Sequence, residues 1–249
     1  MDRFTDKTVV ITGGTSGNGY AAAQAFVEEG ADVVITGQNQ DRTVNAAKAL
    51  GSHATGIVAD HTDLAALDRL AREIESHHGR IDALFANAGV TWPATLDGIT
   101  EEHVRDQFRL NFDGPLFTVQ KLVPLMQSGS AIVFTTSCLN QLGLPSMATY
   151  SASKAALRSL TRTLAAELKD QGIRVNAVSP GPIQTPLYSK FGMSDEELDE
   201  FAQGVAAQVP MGRFGQPEEI AGAVTFLASG QASYITGEEI AVDGGWSNL

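Results

Sequence analysis

The sequence is poor in cysteine, in basic residues and in long apolar runs, and each shortage closes off a class of protein. Cys138 is the one cysteine among 249 residues, so no internal disulfide can form and nothing calls for an oxidising compartment. Seventeen Lys and Arg against 29 Asp and Glu leave a net charge of −12, the opposite of the basic surface that nucleic acid requires. No nucleic-acid partner is expected. No apolar stretch approaches the roughly 18 residues that span a bilayer, and the first strand is expected from about Lys7, leaving no room ahead of it for a signal peptide. No membrane partner is expected, and the expected compartment is the cytoplasm. Five histidines, His77-His78 among them, show no ligand spacing such as His-Glu-x-x-His. They read as solvated helix-end residues, and no metal site is expected.

What remains has the composition of an ordinary globular chain, 43% hydrophobic and 18% charged. Apolar, β-branched runs at 7–12, 32–36, 54–59, 82–86, 130–136, 173–178 and 238–242 read as strands. Helical patterns fall between them at 18–29, 40–50, 63–78, 101–126, 149–170 and 217–228. Short apolar strands alternating with helices predict a parallel sheet of about seven strands covered on both faces, an α/β doubly wound fold. Gly30, Gly51, Gly79 and Gly172 follow helical stretches, where a left-handed cap is wanted. There is no repeat and no linker, so residues 1–249 are expected to form a single domain. The one long interruption, 183–214, contains its own helix start at Ser194 with Glu197 three residues on, a capping box. A long excursion beside a rigid sheet is expected to act as a lid over the substrate.

Chemistry enters at Thr12-Gly-Gly-Thr-Ser-Gly-Asn-Gly19, which follows the first strand and opens the first helix. Amides at such a turn, with the positive end of the helix dipole, suit a pyrophosphate, and glycine serves where φ is positive or the ligand approaches closely. The spacing of Gly13, Gly17 and Gly19 is Gly-x-x-x-Gly-x-Gly rather than the commoner Gly-x-Gly-x-x-Gly. Further along, Tyr150 and Lys154 are four residues apart in a helical stretch and so share a face about one turn apart. A free phenol has a pKa near 10; a neighbouring ammonium is expected to lower it toward the range where it can exchange protons. Ser137 closes the apolar run Ala131–Thr136, at a strand end where ligands sit in open α/β sheets.

The motifs TGGTSGNG, NAG at 87–89, Ser137, YSASK at 150–154, PG at 180–181 and VDGG at 242–245 occur in order. With ITGEEIAVDGG and PMGRFGQPEEIA, they resemble the short-chain dehydrogenase/reductase family over essentially the whole chain. The resemblance implies a Rossmann-type domain, bound NAD(H) or NADP(H), reversible reduction of a ketone to a secondary alcohol, and a homotetramer with 101–126 and 149–170 in one interface. It also implies site residues. Gly13, Thr15, Ser16, Gly17, Asn18 and Gly19 form the pyrophosphate turn; Asp60, followed by His61, reaches the adenine amino group; Asn87, Ala88 and Gly89 support the adenine-side ribose; Pro180, Gly181, Ile183 and Thr185 enclose the nicotinamide. Asn18 departs from the family's usual aliphatic residue, and cofactor binding is expected to survive that change.

In the same comparison Tyr150 is the general acid in reduction and the general base in oxidation. Lys154 lowers its pKa and holds the nicotinamide ribose, Ser137 positions the substrate oxygen, and Asn111 anchors a relay water through its main-chain carbonyl. Pro115 bears on this last role, because it lacks the N–H that would bond carbonyl 111 in an α-helix; an enhanced kink is expected there. For the cofactor's 2′ position, the second strand's end lacks a carboxylate at Thr36 or Gly37, and neutral Gln38 stands where the resemblance implies an Arg in many NADP-using relatives, with Arg42 one turn on. This favours NADP(H), with NAD(H) left open.

The expected substrate pocket is mainly apolar: Cys138, Leu139, Leu142, Leu144, Met147, Trp92, Pro93, Ile183, Leu187, Tyr188 and Phe191. It calls for a neutral, hydrophobic small-molecule ketone or alcohol. Cys138 itself has no activating base beside it in sequence and reads as a wall or core thiol. Two rivals share the motifs: a reductase of 3-oxoacyl groups on an acyl carrier protein, and a non-catalytic cofactor-sensing protein.

Overall fold

The structure is a computed structural model describing residues 2–186 and 194–249. Seven parallel strands form one sheet: β1 (Thr8–Ile11), β2 (Asp32–Gly37), β3 (Ala54–Val58), β4 (Ile81–Ala86), β5 (Met126–Thr135), β6 (Arg174–Pro180) and β7 (Glu239–Val242). Their spatial order is β3-β2-β1-β4-β5-β6-β7. The chain runs outward from β1 to β3, then returns to the other side of β1 to lay down β4. The crevice at that reversal, outside the strands' C-terminal ends, is the ligand position of open α/β sheets.

Successive side chains on a strand point to opposite faces, and both faces here are buried. Val9, Ile11, Val33, Ile35, Phe85 and Val133 enter one core with Phe26 of α1 (Gly17–Glu28) and Val224 of α8 (Pro217–Ala228). Val10, Val34, Leu84, Ile132 and Phe134 enter the other with Leu67 and Ile74 of α3 (Leu64–His78), Val119 of α5 (Gly114–Leu122) and Leu157 of α6 (Ala148–Leu168). That double burial is why the strands read as unbroken apolar runs. The remaining helices are α2 (Gln40–Leu50), α4 (Glu101–Phe108) and α7 (Asp195–Ala206). Among the described residues no helix is long and apolar enough to cross a membrane.

Three elements differ from the reading of the sequence. The helix expected over 101–126 is not one α-helix: α4 passes into a π-helical turn, Arg109–Asp113, before α5 begins. Pro115 sits in the first turn of α5 and cannot donate to the Asn111 carbonyl. The expected departure from regular pairing therefore takes the form of a π turn in which the Gly114 amide bonds the Arg109 carbonyl. The chain has become a strand by Met126, four residues before the expected start at 130, with a register shift between the pairs Ile81–Met126 and Ala83–Ala131. Gly79 and Gly172 are left-handed caps as expected, but Gly51 closes α2 at φ 103, ψ −166, outside the left-handed helical region. The Ser194–Glu197 capping box is present at the start of α7.

Candidate active site

The glycine turn is built by close approach. Gly13 and Gly17 have φ of +64 and +53, which side chains avoid. Gly19 is needed for another reason: a Cβ there would lie 2.3 Å from the Gly13 carbonyl oxygen and 2.7 Å from Asn87 Nδ2. The turn is tied to its neighbours by Thr12, whose hydroxyl accepts the amides of Asn87 and Ala88, both at 2.9 Å. Asn87 in turn donates through Nδ2 to the Thr12 carbonyl at 3.1 Å and accepts the Thr135 hydroxyl at 3.2 Å. One amide thus stitches the ends of β1, β4 and β5 beneath the crevice.

That crevice is a cleft of about 550 Å³. Thr15, Ser16, Gly17, Asn18, Gln38, Asp60, His61, Ser137, Tyr150, Lys154, Gly181, Ile183 and Thr185 line it, and a Cβ on Gly17 would stand 3.3 Å from Thr185. Gly13, Asn87, Ala88, Gly89 and Pro180 line it as well. Gly19 lies beneath the turn, within van der Waals reach of Gly13 and Asn87. The bare amides and missing Cβ atoms over the N-terminus of α1 fit a dinucleotide pyrophosphate. Asn18 carries a buried Oδ1 without a hydrogen-bond partner, so the unusual residue of the turn is accommodated without being satisfied.

Around Asp60, burial raises the carboxyl, but hydrogen bonds from the Thr62 amide and hydroxyl and from Gln38 outweigh it, and the net shift is downward. Arg42 lines the same cleft, and among the described residues its guanidinium forms no ion pair. His61 is not the solvated histidine expected. It is buried, with Nε2 2.7 Å from the Thr36 hydroxyl and Nδ1 3.0 Å from the Thr118 hydroxyl. Burial lowers its pKa to about 4 against the pull of Asp60. Threonine hydroxyls can donate or accept, so a neutral ring satisfies both contacts.

Around the reactive pair, Tyr150 shares the cleft with the hydroxyls of Ser137 and Thr91, both of which pull its pKa down. Lys154 Nζ donates to the Thr135 carbonyl at 2.7 Å and lies 5.8 Å from the centre of the Tyr150 ring. The pKa balance differs from the sequence expectation. Burial pushes the Tyr150 phenol up, Ser137 and Thr91 pull it back, and the net direction is upward; one of the three Lys154 N–H donors goes to a backbone carbonyl. Burial likewise lowers Lys154 to about 8. Asn111 is fully buried, accepting the Val90 amide and donating to the Val90 carbonyl, both at 2.9 Å, and donating to Ser153 at 3.2 Å. A Cβ on Gly89 would stand 3.2 Å from Asn111 Oδ1 and 3.4 Å from Lys154 Nζ, so these groups converge on one point.

Cys138, Leu139, Leu144 and Met147 line the cleft as expected. Cys138 is buried, and burial followed by the nearby Asp243 charge pushes its thiol up to about 12, which makes it an inert wall. Trp92, Pro93 and Leu142 are not among the lining residues. Leu187, Tyr188 and Phe191 lie outside the described residues. The sequence reading missed Thr91, Leu110, Phe201, Val205 and Trp246, which also line the cleft. Leu110 and Trp246 had signals, standing next to Asn111 and directly after VDGG; Phe201 and Val205 had none beyond apolar spacing in α7.

Comparison with known proteins decides the family. A family model described as enoyl-(acyl carrier protein) reductase, of the short-chain alcohol dehydrogenase type, matches residues 13–247. The chain belongs to the short-chain dehydrogenases/reductases. It is 41% identical to the oxidoreductase asL5 of Sarocladium schorii, over 100% of this chain and 99% of that protein. It is 38% identical to the 3-oxoacyl-[acyl-carrier-protein] reductase FabG of Thermotoga maritima, over 98% of each. A short-chain type dehydrogenase/reductase from Mycobacterium marinum superposes with a TM-score of 0.91 at 30% identity, covering 99% of this chain and 97% of that one. The chain is therefore an oxidoreductase with a Rossmann-like fold, of a family that uses NAD(P)(H) on small molecules.

Proposed function

We propose that this chain reversibly reduces neutral, apolar ketones to secondary alcohols, with NADP(H) preferred over NAD(H), and that Tyr150 exchanges the proton. The observation that carries the reading is that Tyr150, Lys154, Ser137 and Thr91 line the same cleft as the glycine turn. The glycine turn, Asp60 and Asn87 hold the cofactor's adenine and pyrophosphate end, and Tyr150, Lys154, Pro180, Gly181, Ile183 and Thr185 surround its nicotinamide end. When bound, the nicotinamide supplies or accepts the hydride.

The remaining chemistry belongs to the chain. Tyr150 stands as a neutral phenol at pH 7, since burial raises it, and this is the form reduction needs. As negative charge develops on the substrate oxygen, Tyr150 gives its proton to it while Ser137 donates a hydrogen bond. Lys154, with a pKa of about 8, is mainly cationic at pH 7 and stabilises the phenolate left behind. The Asn111 carbonyl, without a donor from Pro115, takes a water that returns the proton from solvent through Lys154. Oxidation runs the same steps backward from phenolate, so its rate is expected to rise with pH more steeply than that of reduction.

Arg42 supports NADP(H): a guanidinium at the adenine-side end, with no ion pair among the described residues, suits a 2′-phosphate. The apolar lining of Leu139, Leu144, Met147, Phe201 and Val205 supports a neutral substrate. Residues 183–214 act as its cover, their base pinned where Ile183 bridges Gly215, in a single domain spanning 1–249. Assembly as a cytoplasmic homotetramer belongs to the same proposal, and a monomer mass by light scattering would refute the assembly.

The test is Tyr150→Phe, expected to lower kcat by more than about 100-fold with cofactor affinity unchanged; near-wild-type turnover refutes the assignment. A 3-oxoacyl-(acyl-carrier-protein) reductase is the second reading, favoured by the name of the Thermotoga relative. The acidic run Asp195–Glu200 at the start of α7, the helix that contributes Phe201 and Val205 to the cleft, argues against an acidic carrier. Faster turnover of a carrier thioester than of free ketones would reverse the order. Cofactor binding without turnover on any carbonyl compound would instead make the chain a sensor.

A further inference from the structure

We infer that Glu239, the first residue of β7, is a positioning residue that sets the Ser137 hydroxyl against Tyr150. Glu238 and Glu239 are adjacent in sequence and opposite in environment. The side chain of Glu238 is 59% exposed and that of Glu239 only 2%. Burying a carboxylate is costly unless it is paired and fully hydrogen-bonded, and Glu239 is both.

Its partners lie around the reactive residues. Oε1 accepts the hydroxyl of Thr136, the residue immediately before Ser137. It also accepts Asn140 Nδ2 at 2.8 Å, and Oε2 accepts Gln141 Nε2 at 3.3 Å. Arg158 Nε stands 3.0 Å from Oε2, on α6 and one turn beyond Lys154. One carboxylate thus grips the chain before Ser137, grips it again after the short 3-10 turn Cys138–Asn140, and ties both points to the helix that carries Tyr150 and Lys154. The backbone of the segment is held separately, the Thr136 amide and hydroxyl each lying 2.9 Å from the Val178 carbonyl and the Ser137 and Cys138 carbonyls accepting the Asn140 and Gln141 amides, whereas Asn140 Oδ1 is buried without a partner, so that side chain is anchored through Nδ2. Among the described residues the hydrogen-bond and ion-pair partners of the Glu239 side chain include none from the glycine turn.

The inference rests on the reading of Ser137 and Tyr150 as the proton-transfer pair. Displacement of a reacting group by about 1 Å costs about 100-fold in rate, so a loosened Ser137 segment is expected to lower kcat while leaving the cofactor in place. Four proteins decide it, namely the full-length wild type, Glu239→Gln, Thr136→Val and Tyr150→Phe, each assayed for ketone reduction, for cofactor Kd by fluorescence titration and for thermal midpoint. Glu239→Gln keeps the shape but cannot accept from Arg158 and Gln141 at its amide end. The expected result is a kcat at least about tenfold lower, a cofactor Kd within about twofold of wild type and full cofactor stoichiometry. Thr136→Val, which removes one hydroxyl without changing volume, is expected to show a smaller loss of the same kind, and it carries the test alone should Glu239→Gln fail to fold. Wild-type kcat in the folded variants overturns the inference. So does a kcat that falls only in proportion to cofactor-binding stoichiometry, since that marks a general loss of structure. Activity in Tyr150→Phe sinks the underlying reading instead, whatever Glu239→Gln does.

Discussion

His61 makes acid sensitivity of folding a quantitative expectation. Its ring is clamped between Thr36 at the end of β2 and Thr118 on α5, and burial holds its pKa at about 4 rather than 6.5. Between those values the unfolded chain binds a proton at this position and the folded chain does not, so folding stability rises with pH across that interval. The contribution is complete above pH 6.5 and is lost as the pH falls toward 4. At 1.36 kcal/mol per tenfold difference in proton affinity the whole effect is about 3 kcal/mol, of which about 2 kcal/mol is gone by pH 5. Asp60 and Asp82 are shifted down from 3.8, so their losses come at lower pH and do not mask this one. His78 is also lowered, by burial first, and adds a slope of the same sign. The clean measurement is therefore a difference: urea denaturation at fixed protein concentration from pH 5 to 8, for wild type and for His61→Gln. The glutamine can still bridge both threonines but cannot titrate. The wild type is expected to lose about 2 kcal/mol more than the variant over that range. Parallel pH profiles, or a His61 ring that titrates near 6.5 by NMR, would refute the reasoning.

Three other outcomes follow from the geometry. Gly19→Ala drives a methyl against the Gly13 carbonyl and is expected to cost about 1–3 kcal/mol of stability and to weaken cofactor binding; an unchanged Kd by titration would show that the turn has room. Cys138, with a thiol at about 12, is expected to resist iodoacetamide at pH 8, and alkylation at the rate of a free cysteine, read by mass spectrometry, would contradict its burial. Gln38→Asp is expected to shift kcat/KM toward NADH by at least about tenfold, because a carboxylate repels the 2′-phosphate and accepts the 2′-hydroxyl; an unchanged ratio would move the discrimination elsewhere, with Arg42 the next residue to replace.

The middle of the sheet was legible because its strands are buried on two sides, so Val9-Val10-Ile11 and Val33-Val34-Ile35 carry their location in composition alone. Tyr150 and Lys154 were legible through helical spacing, and the glycine turn through its position between strand and helix. What escaped depends on distant partners. His61 looks like any polar residue after a strand until Thr118, on another helix, closes over it. The direction of the Tyr150 shift turns on whether Lys154 faces the phenol or the Thr135 carbonyl, and spacing does not distinguish the two. The early start of β5 at Met126 was hidden because Gln127-Ser-Gly-Ser130 carries no strand pattern; the stretch is held at its ends, by the pairing of Met126 with Ile81 and by the Ser130 hydroxyl on the Ile81 carbonyl. Phe201 and Val205 line the cleft from α7, a placement that no local pattern encodes.

The π turn at Arg109–Asp113 leaves one rod with two independent phases. Upstream of it, Gln107 clamps Val90 and Trp92; downstream, Thr118, Val119 and Leu122 sit in the interior. Each α-helical residue advances the rotation by about 100°, so removing one residue from the turn would swing α4 by that angle while α5 kept its seat on the sheet. That offset in phase lets Gln107 face the backbone at 90–92 while Thr118, Val119 and Leu122 stay turned toward the interior.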